Sequence, residues 1–191
     1  MCAALSDPNI QKILLIGMPG VGKSSVGLLV ARKLQWDFVD IDGKIEQEAG
    51  ISIAEMFASP SYGEARFRDL EREMIAELMG LPGSLVCATG GGAVESEDVR
   101  ELLRAPEVLA VWLLADLDVL LTRAEESNDR PLLLPDPRRA METLLDRRMP
   151  LYRSIADVTI DTGTVGIEEA ADSVIYAFSQ YRPSYAPDHF C

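Results

Sequence analysis

Histidine and lysine are scarce in this chain: one histidine and four lysines among 191 residues. The histidine, His189, falls in a C-terminal stretch from Tyr181 to Cys191 that reads as a loosely held tail, so it is a poor candidate for catalysis. Cys2, Cys87 and Cys191 have neither metal-site nor disulfide-framework spacing. That absence points to a reducing cytoplasm, with Cys87 a buried free thiol in an apolar strand. No apolar run approaches the roughly 18–20 residues of a membrane span. The N-terminal Met1–Pro8 stretch lacks the charged start and apolar run of a secretory signal. Positive charge is short overall, 18 basic against 31 acidic residues for a formal net charge of −13. Such a chain is a poor partner for nucleic acids or anionic membranes in general. Internal repeats, low-complexity segments and a guanine-reading N-K-x-D are all missing.

What is present begins with Gly17-Met18-Pro19-Gly20-Val21-Gly22-Lys23-Ser24, a match to the G-x-x-x-x-G-K-[ST] phosphate loop. Lys12–Ile16 before it reads as a buried parallel strand and Ser25–Leu34 after it as a helix, the context the motif requires. Glycines let backbone wrap a phosphate chain without Cβ clashes, and the following helix N-terminus adds positive potential. Lys23 is placed to reach β/γ-phosphates and Ser24 to offer its hydroxyl to Mg²⁺. The plain alternative is a glycine-rich turn with a surface lysine. Of the fourteen arginines, seven lie between Arg123 and Arg153, alongside six acids. They suit small anions or simple surface ion pairs equally.

An apolar fraction of 48% suffices for one core in one domain. Four further strands are expected: Asp37–Asp40, Ser84–Thr89, Val108–Leu114 and Asp157–Ile160. Helices are expected between them, at Lys44–Glu48, from a capping box at Ser52, and over Glu64–Met79, Ser96–Leu103, from Asp118, Arg138–Arg148 and Ile167–Phe178. Glu125–Pro137 reads as a mobile loop. Alternation of this kind predicts a parallel sheet covered on both faces, with ligands at the carboxyl ends of its strands. Asp40, Asp42 and the triplet Gly90-Gly91-Gly92 all fall at such ends. Asp40 and Asp42 serve equally as helix N-caps, and Asp116 reads as a cap rather than a metal ligand.

With Gly63-Glu64-x-x-Phe67-Arg68, Arg130-Pro131-Leu132-Leu133 and Arg148-x-Pro150-Leu151-Tyr152, these motifs occur in an order that resembles shikimate kinase, over roughly residues 12 to 165. The resemblance implies a three-layer α/β/α fold of the phosphate-loop kinase type, its five-stranded parallel sheet ordered 2-3-1-4-5. It implies a substrate-binding subdomain over about residues 40–80, a lid over about 125–137, and a monomer. The implied reaction moves the γ-phosphoryl of ATP to the 3-hydroxyl of shikimate with Mg²⁺. By the same resemblance, Gly20, Val21, Gly22, Lys23, Ser24, Ser25, Arg123 and Arg130 hold ATP, and Ser24 and Asp40 serve the metal. Asp42, Phe67, Arg68, Glu71, Gly90, Gly91, Gly92 and Arg148 receive shikimate, and Asp42, Lys23 and Arg130 act in the transfer. Residue types leave some of this open. Arg68 suits a surface pair with Glu64 or Glu71, Phe57 and Phe67 suit core packing, and Arg123 suits a helix C-terminus. Arg148 is favoured over Arg147 by motif spacing alone. Two departures stand out: a longer turn at Ser59–Tyr62, and no arginine or proline in Asp161–Gly166, which leaves adenine contacts near Gly163 and Thr164 to backbone. A gluconate kinase would share loop and fold without Arg68, the glycine triplet and R-P-L-L together. A non-catalytic regulator would be expected to have lost Lys23, Asp42 or Arg68.

Overall fold

A computed structural model describes residues 10–126 and 136–181. β1 (Lys12–Ile16) is buried along its whole length, as a strand covered on both faces must be. It is the middle of a five-stranded parallel sheet with β2 (Asp37–Asp40), β3 (Leu85–Ala88), β4 (Val108–Leu114) and β5 (Val158–Asp161), in the order β2-β3-β1-β4-β5. The three-layer fold and its strand order are therefore as expected. β1 pairs with β3 on one side and β4 on the other, so its carboxyl end opens onto the crevice where the winding reverses.

At that end the chain turns sharply. Gly17 has φ +143°, and a Cβ there would collide with the Leu113 carbonyl of β4. Only glycine passes so close to backbone. α1 (Lys23–Leu34) starts immediately after Gly22 and ends at Gln35, which takes the left-handed conformation at φ 59°. α8 (Ile167–Gln180) packs beside α1, with Trp36 edge-on to Phe178 and Lys33 bonded to Asp172. Between β2 and β3 lie α2 (Ile41–Ala49), α3 (Ile53–Ala58) and α4 (Gly63–Gly80). The Ser52–Glu55 capping box opens α3. The turn before α4 is closed by the Gly63 N–H donating to Ser59 O at 3.1 Å.

After β3 come a 3-10 turn at Ala93–Glu95 and α5 (Glu97–Leu103), and after β4 comes α6 (Leu117–Glu126). Asp116 immediately precedes α6, and its carbonyl accepts from Leu120 N–H. α7 (Pro137–Ile155) is longer than the sequence suggests. Its expected end at Arg148 is overrun and Pro150 sits inside the helix. The proline is exposed, so the carbonyl left without an N–H partner faces water, while Tyr152 and Ile155 beyond it are buried and hold the last turn down. The stretch expected as a lid, about residues 125–137, falls largely outside the described residues. Arg130 and the rest of residues 127–135 lie outside the described residues, as do Cys2, His189 and Cys191.

Candidate active site

One cavity of about 540 Å³ opens at the carboxyl ends of the strands. Its walls come from the loop after β1, the start of α2, α3, α4, the glycine triplet, α6 and α7. On the phosphate-loop side, Gly20, Gly22, Lys23, Ser24 and Ser25 line it. Lys23 Nζ donates to the carbonyls of Gly17 (2.9 Å) and Met18 (3.0 Å), which holds the ammonium inside the curl of the loop. Val21 differs from its neighbours. Its side chain is fully buried, and its carbonyl accepts the Thr162 hydroxyl at 2.8 Å.

Asp40 does two things at once. One carboxylate oxygen accepts from Gly43 N–H at 3.2 Å as the N-cap of α2, and the other accepts from Ser24 Oγ. Capping and pairing with the loop serine thus coexist. Asp42, in the first turn of α2, faces the cavity, and its Oδ1 is shut away from solvent without a hydrogen-bond partner among the described residues. Burial pushes its carboxyl upward from the ordinary range, while the Lys23 ammonium pulls the other way.

Glu71 is the second shielded acid, 2% exposed, and its Oε1 likewise has no hydrogen-bond partner among the described residues. Its pKa is raised to about 7 by burial, opposed by the neighbouring Arg68 guanidinium. Arg68 bonds Glu71 at 2.8 Å and Glu64 at 3.2 Å, yet also lines the cavity. Pairing with acids on its own helix and facing the cavity are therefore not exclusive. The glycine triplet explains itself against these groups. A Cβ on Gly90 would strike Glu71 Oε1 and come within 2.8 Å of Asp42 Oδ1. One on Gly91 would lie 2.7 Å from Pro19 Cδ, and one on Gly92 would lie 2.5 Å from Arg68 Cζ. Three side chains would fill the space in which acids, arginine and phosphate loop converge. Phe57 and Phe67 stand edge-on, 5.2 Å apart, and both line the cavity.

Arg148 is 3% exposed at its side chain and lines the cavity, whereas Arg147 is 53% exposed. Burial thus distinguishes the pair as motif spacing does. Arg123 also lines the cavity, and its guanidinium donates to the Thr162 carbonyl at 2.7 Å and hydroxyl at 3.4 Å. Gly163 N–H is turned onto the Asp161 carboxylate at 2.7 Å.

Four residues with structural weight here are not among the expected site residues. Thr162, 4% exposed, ties the phosphate loop, the end of β4 and Arg123 together through one hydroxyl. Tyr152 donates its hydroxyl to the Gly91 carbonyl at 2.5 Å. Glu46 accepts from Ile53 N–H at 2.9 Å and joins the cavity wall. Glu95 accepts from both Arg147 and Arg148. Tyr152 was visible as part of R-x-P-L-Y; Thr162 and Glu95 gave no local signal, because each acts through partners distant in sequence.

Fold and cavity define a phosphate-loop kinase: a nucleotide loop faces an anion-ready pocket across a single crevice. The family model for shikimate kinase matches residues 19–179. The shikimate kinase of Rhodopseudomonas palustris is 41% identical over 97% of this chain and 88% of its own length. That of Thermodesulfovibrio yellowstonii is 41% identical over 90% and 96%. The solved shikimate kinase of Acinetobacter baumannii, in complex with shikimate, superposes with a TM-score of 0.81 at 34% identity, covering 87% of this chain and 91% of that one. This chain belongs to the shikimate kinase family, ATP-using phosphotransferases that act on an alcohol group.

Proposed function

We propose that this chain phosphorylates the 3-hydroxyl of shikimate, with Lys23 and the loop amides holding the ATP phosphates and Arg68 and Arg148 gripping the ring carboxylate. The observation that carries the reading is the cavity that sets Asp42, Arg68 and Arg148 opposite the phosphate loop, with the shielded Glu71 carboxyl bonded to Arg68 outside the lining. A cyclic polyol acid needs acceptors for its hydroxyls and a guanidinium for its carboxylate, and both are in place. Phosphoryl transfer demands positioning and charge neutralisation more than covalent assistance. Asp42 orients the reacting hydroxyl and is available to take its proton; its raised pKa makes it a better base than an ordinary aspartate. Gly91 offers backbone at close approach, and the Phe57–Phe67 pair closes one side of the pocket. Arg123 takes the adenine side. Arg130 enters this reading through its R-P-L-L motif alone.

Ser24 and Asp40 fit Mg²⁺: both are hard oxygen donors, already hydrogen-bonded to each other beside the loop. No group of three or more acids, histidines or cysteines among the described residues could cage a metal by itself. That fits an ion arriving with the nucleotide and keeping most of its waters. When bound, it neutralises charge on the β- and γ-phosphate oxygens. We take the active form to be a monomer, as the family resemblance implies. No helix among the described residues is long and apolar enough to cross a membrane.

A coupled assay of ADP release, with Mg²⁺-ATP and either shikimate, quinate or gluconate, tests the reading. Turnover is expected with shikimate far above the other two. ADP release that ignores shikimate, or that follows gluconate instead, overturns it.

A further inference from the structure

Glu95 lies on the 3-10 turn directly after the glycine triplet, with its N–H donating to Gly92 O at 2.9 Å. The Arg100 guanidinium fixes the same turn by donating to Val94 O at 2.5 Å. From that anchored turn the Glu95 carboxylate reaches α7. Its Oε1 accepts from Arg148 Nε at 2.5 Å and from Arg147 Nη2 at 2.8 Å. Arg148 belongs to the cavity wall and Glu95 does not, so the acid stands behind the arginine. Arg68, Arg147 and Arg148 all act on Glu95. Burial pushes its carboxyl upward, but the Arg148 hydrogen bond and the arginine charges outweigh that and hold it below the ordinary range, ionised.

A guanidinium can present a carboxylate with either of two faces of its fork: Nε with one Nη, or the two Nη groups together. When Glu95 occupies Nε, only the two Nη groups remain as a matched pair. We propose that Glu95 is a positioning residue for the acceptor site: it takes the Nε edge of Arg148 from behind and leaves the terminal Nη pair set for the carboxylate of the incoming substrate. The proposal rests on the reading of Arg148 as a carboxylate grip. It also gives the tie between α7 and the glycine triplet a purpose beyond packing. Tyr152, one helical turn after Arg148, donates to Gly91 O and holds the same helix face against the same loop. Arg148 is thus fixed both along its helix and around its own side chain. An arginine left loose would lose rotamer freedom on each binding event, a cost that a preset guanidinium has already met.

Steady-state kinetics of Glu95→Ala, Glu95→Gln, Arg148→Lys and the double variant Glu95→Ala/Arg148→Lys decide the matter. Glu95→Ala is expected to raise KM for shikimate about 5- to 10-fold, the scale of a lost charge-assisted hydrogen bond to a partly shielded group. Its KM for ATP and its kcat should stay within about twofold of wild type. Glu95→Gln keeps an acceptor oxygen for Nε and should recover most of the loss. Since Glu95 acts through Arg148, its removal from an Arg148→Lys background should change KM for shikimate by less than about twofold. An Arg148→Lys variant with a normal KM for shikimate overturns the carboxylate reading and this inference with it. A raised KM in Arg148→Lys beside an unchanged KM in Glu95→Ala overturns the inference alone. So do Glu95 effects that add fully in the double variant, or that strike ATP and shikimate alike, since those are signs of a general loss of structure. A lowered KM in Glu95→Ala overturns it as well, because Glu95 would then be competing with substrate for Arg148.

Discussion

Glu71 carries a proton at a pH where an ordinary glutamate has lost it, and that has a cost in stability which can be signed. Its folded pKa of about 7 stands above the ordinary 4.5, so the folded protein holds this proton more tightly than the unfolded chain does. Stability tied to the proton is complete below pH 4.5 and is lost as pH rises through about 7. The loss is on the order of 3 kcal/mol for a group this deeply buried. Glu71→Gln removes it. Urea unfolding at pH 5 and pH 8 should therefore show wild type losing ground to the glutamine variant between the two; parallel changes in both proteins would remove Glu71 as the source. Asp42 Oδ1 and Glu71 Oε1 converge on the same space beside Gly90, so the Asp42 charge opposes ionising Glu71. Arg68 limits the strain by giving Glu71 a counter-charge at 2.8 Å.

At the scale of elements, α7 is the piece that sequence patterns describe least well. Proline marks helix ends often enough that a stop before Pro150 is the natural reading. The helix runs on because Tyr152 and Ile155, after the proline, have buried positions to fill, with Leu151 half-buried beside them. Packing overrides the local signal. Tyr152 is the strongest of these anchors, stacked on Trp112 at 5.8 Å with its hydroxyl on Gly91 O. Burial drives the phenol pKa upward, so this hydroxyl stays a donor. Tyr152→Phe keeps the ring and takes the donor from the half-buried Gly91 carbonyl. It should cost about 1–2 kcal/mol in chemical denaturation; full stability in that variant would mean that the Gly91 carbonyl has found another partner. By contrast, β1, β4 and α4 follow directly from apolar runs and helical spacing. The Ser52–Glu55 box follows from four letters of sequence.

For the molecule as a whole, the strand order and the phosphate loop were legible because each rests on local pattern plus a family resemblance. The supporting groups were not. Glu95 meets Arg148 across 53 positions and Thr162 meets Val21 across 141, and nothing in either neighbourhood announces the partner. Conversely, the choice of Arg148 over Arg147 hung on motif spacing in the sequence and is a plain matter of burial in the structure. Binding of the nucleotide should register on the entire fold. Mg²⁺-ATP at about 100 times its Kd should raise unfolding free energy by about 2.7 kcal/mol. Lys23→Ala should largely abolish that gain at the same nucleotide concentration. A thermal-shift series in which both proteins gain equally would contradict the assignment of the loop.

The sheet order has a consequence for how such an enzyme can change its substrate. β1 divides the molecule. On the β4–β5 side, Thr162 clasps Val21, Leu114 and Arg123 into one block that is complete without β2 or β3. On the other side, residues 40 to 95 carry the acids, Arg68, the phenylalanines and the glycine triplet. α7 crosses the divide through Arg148 and Tyr152, and α1 crosses it as well, packed on β2 and β3 and on α8. Most residues that face the phosphate loop across the cavity thus come from one stretch, 40 to 95, with α7 adding Arg148. On the proposed roles, a kinase for a different small acid is expected to differ from this chain mainly within residues 40 to 95 and at Arg148 and Tyr152 on α7.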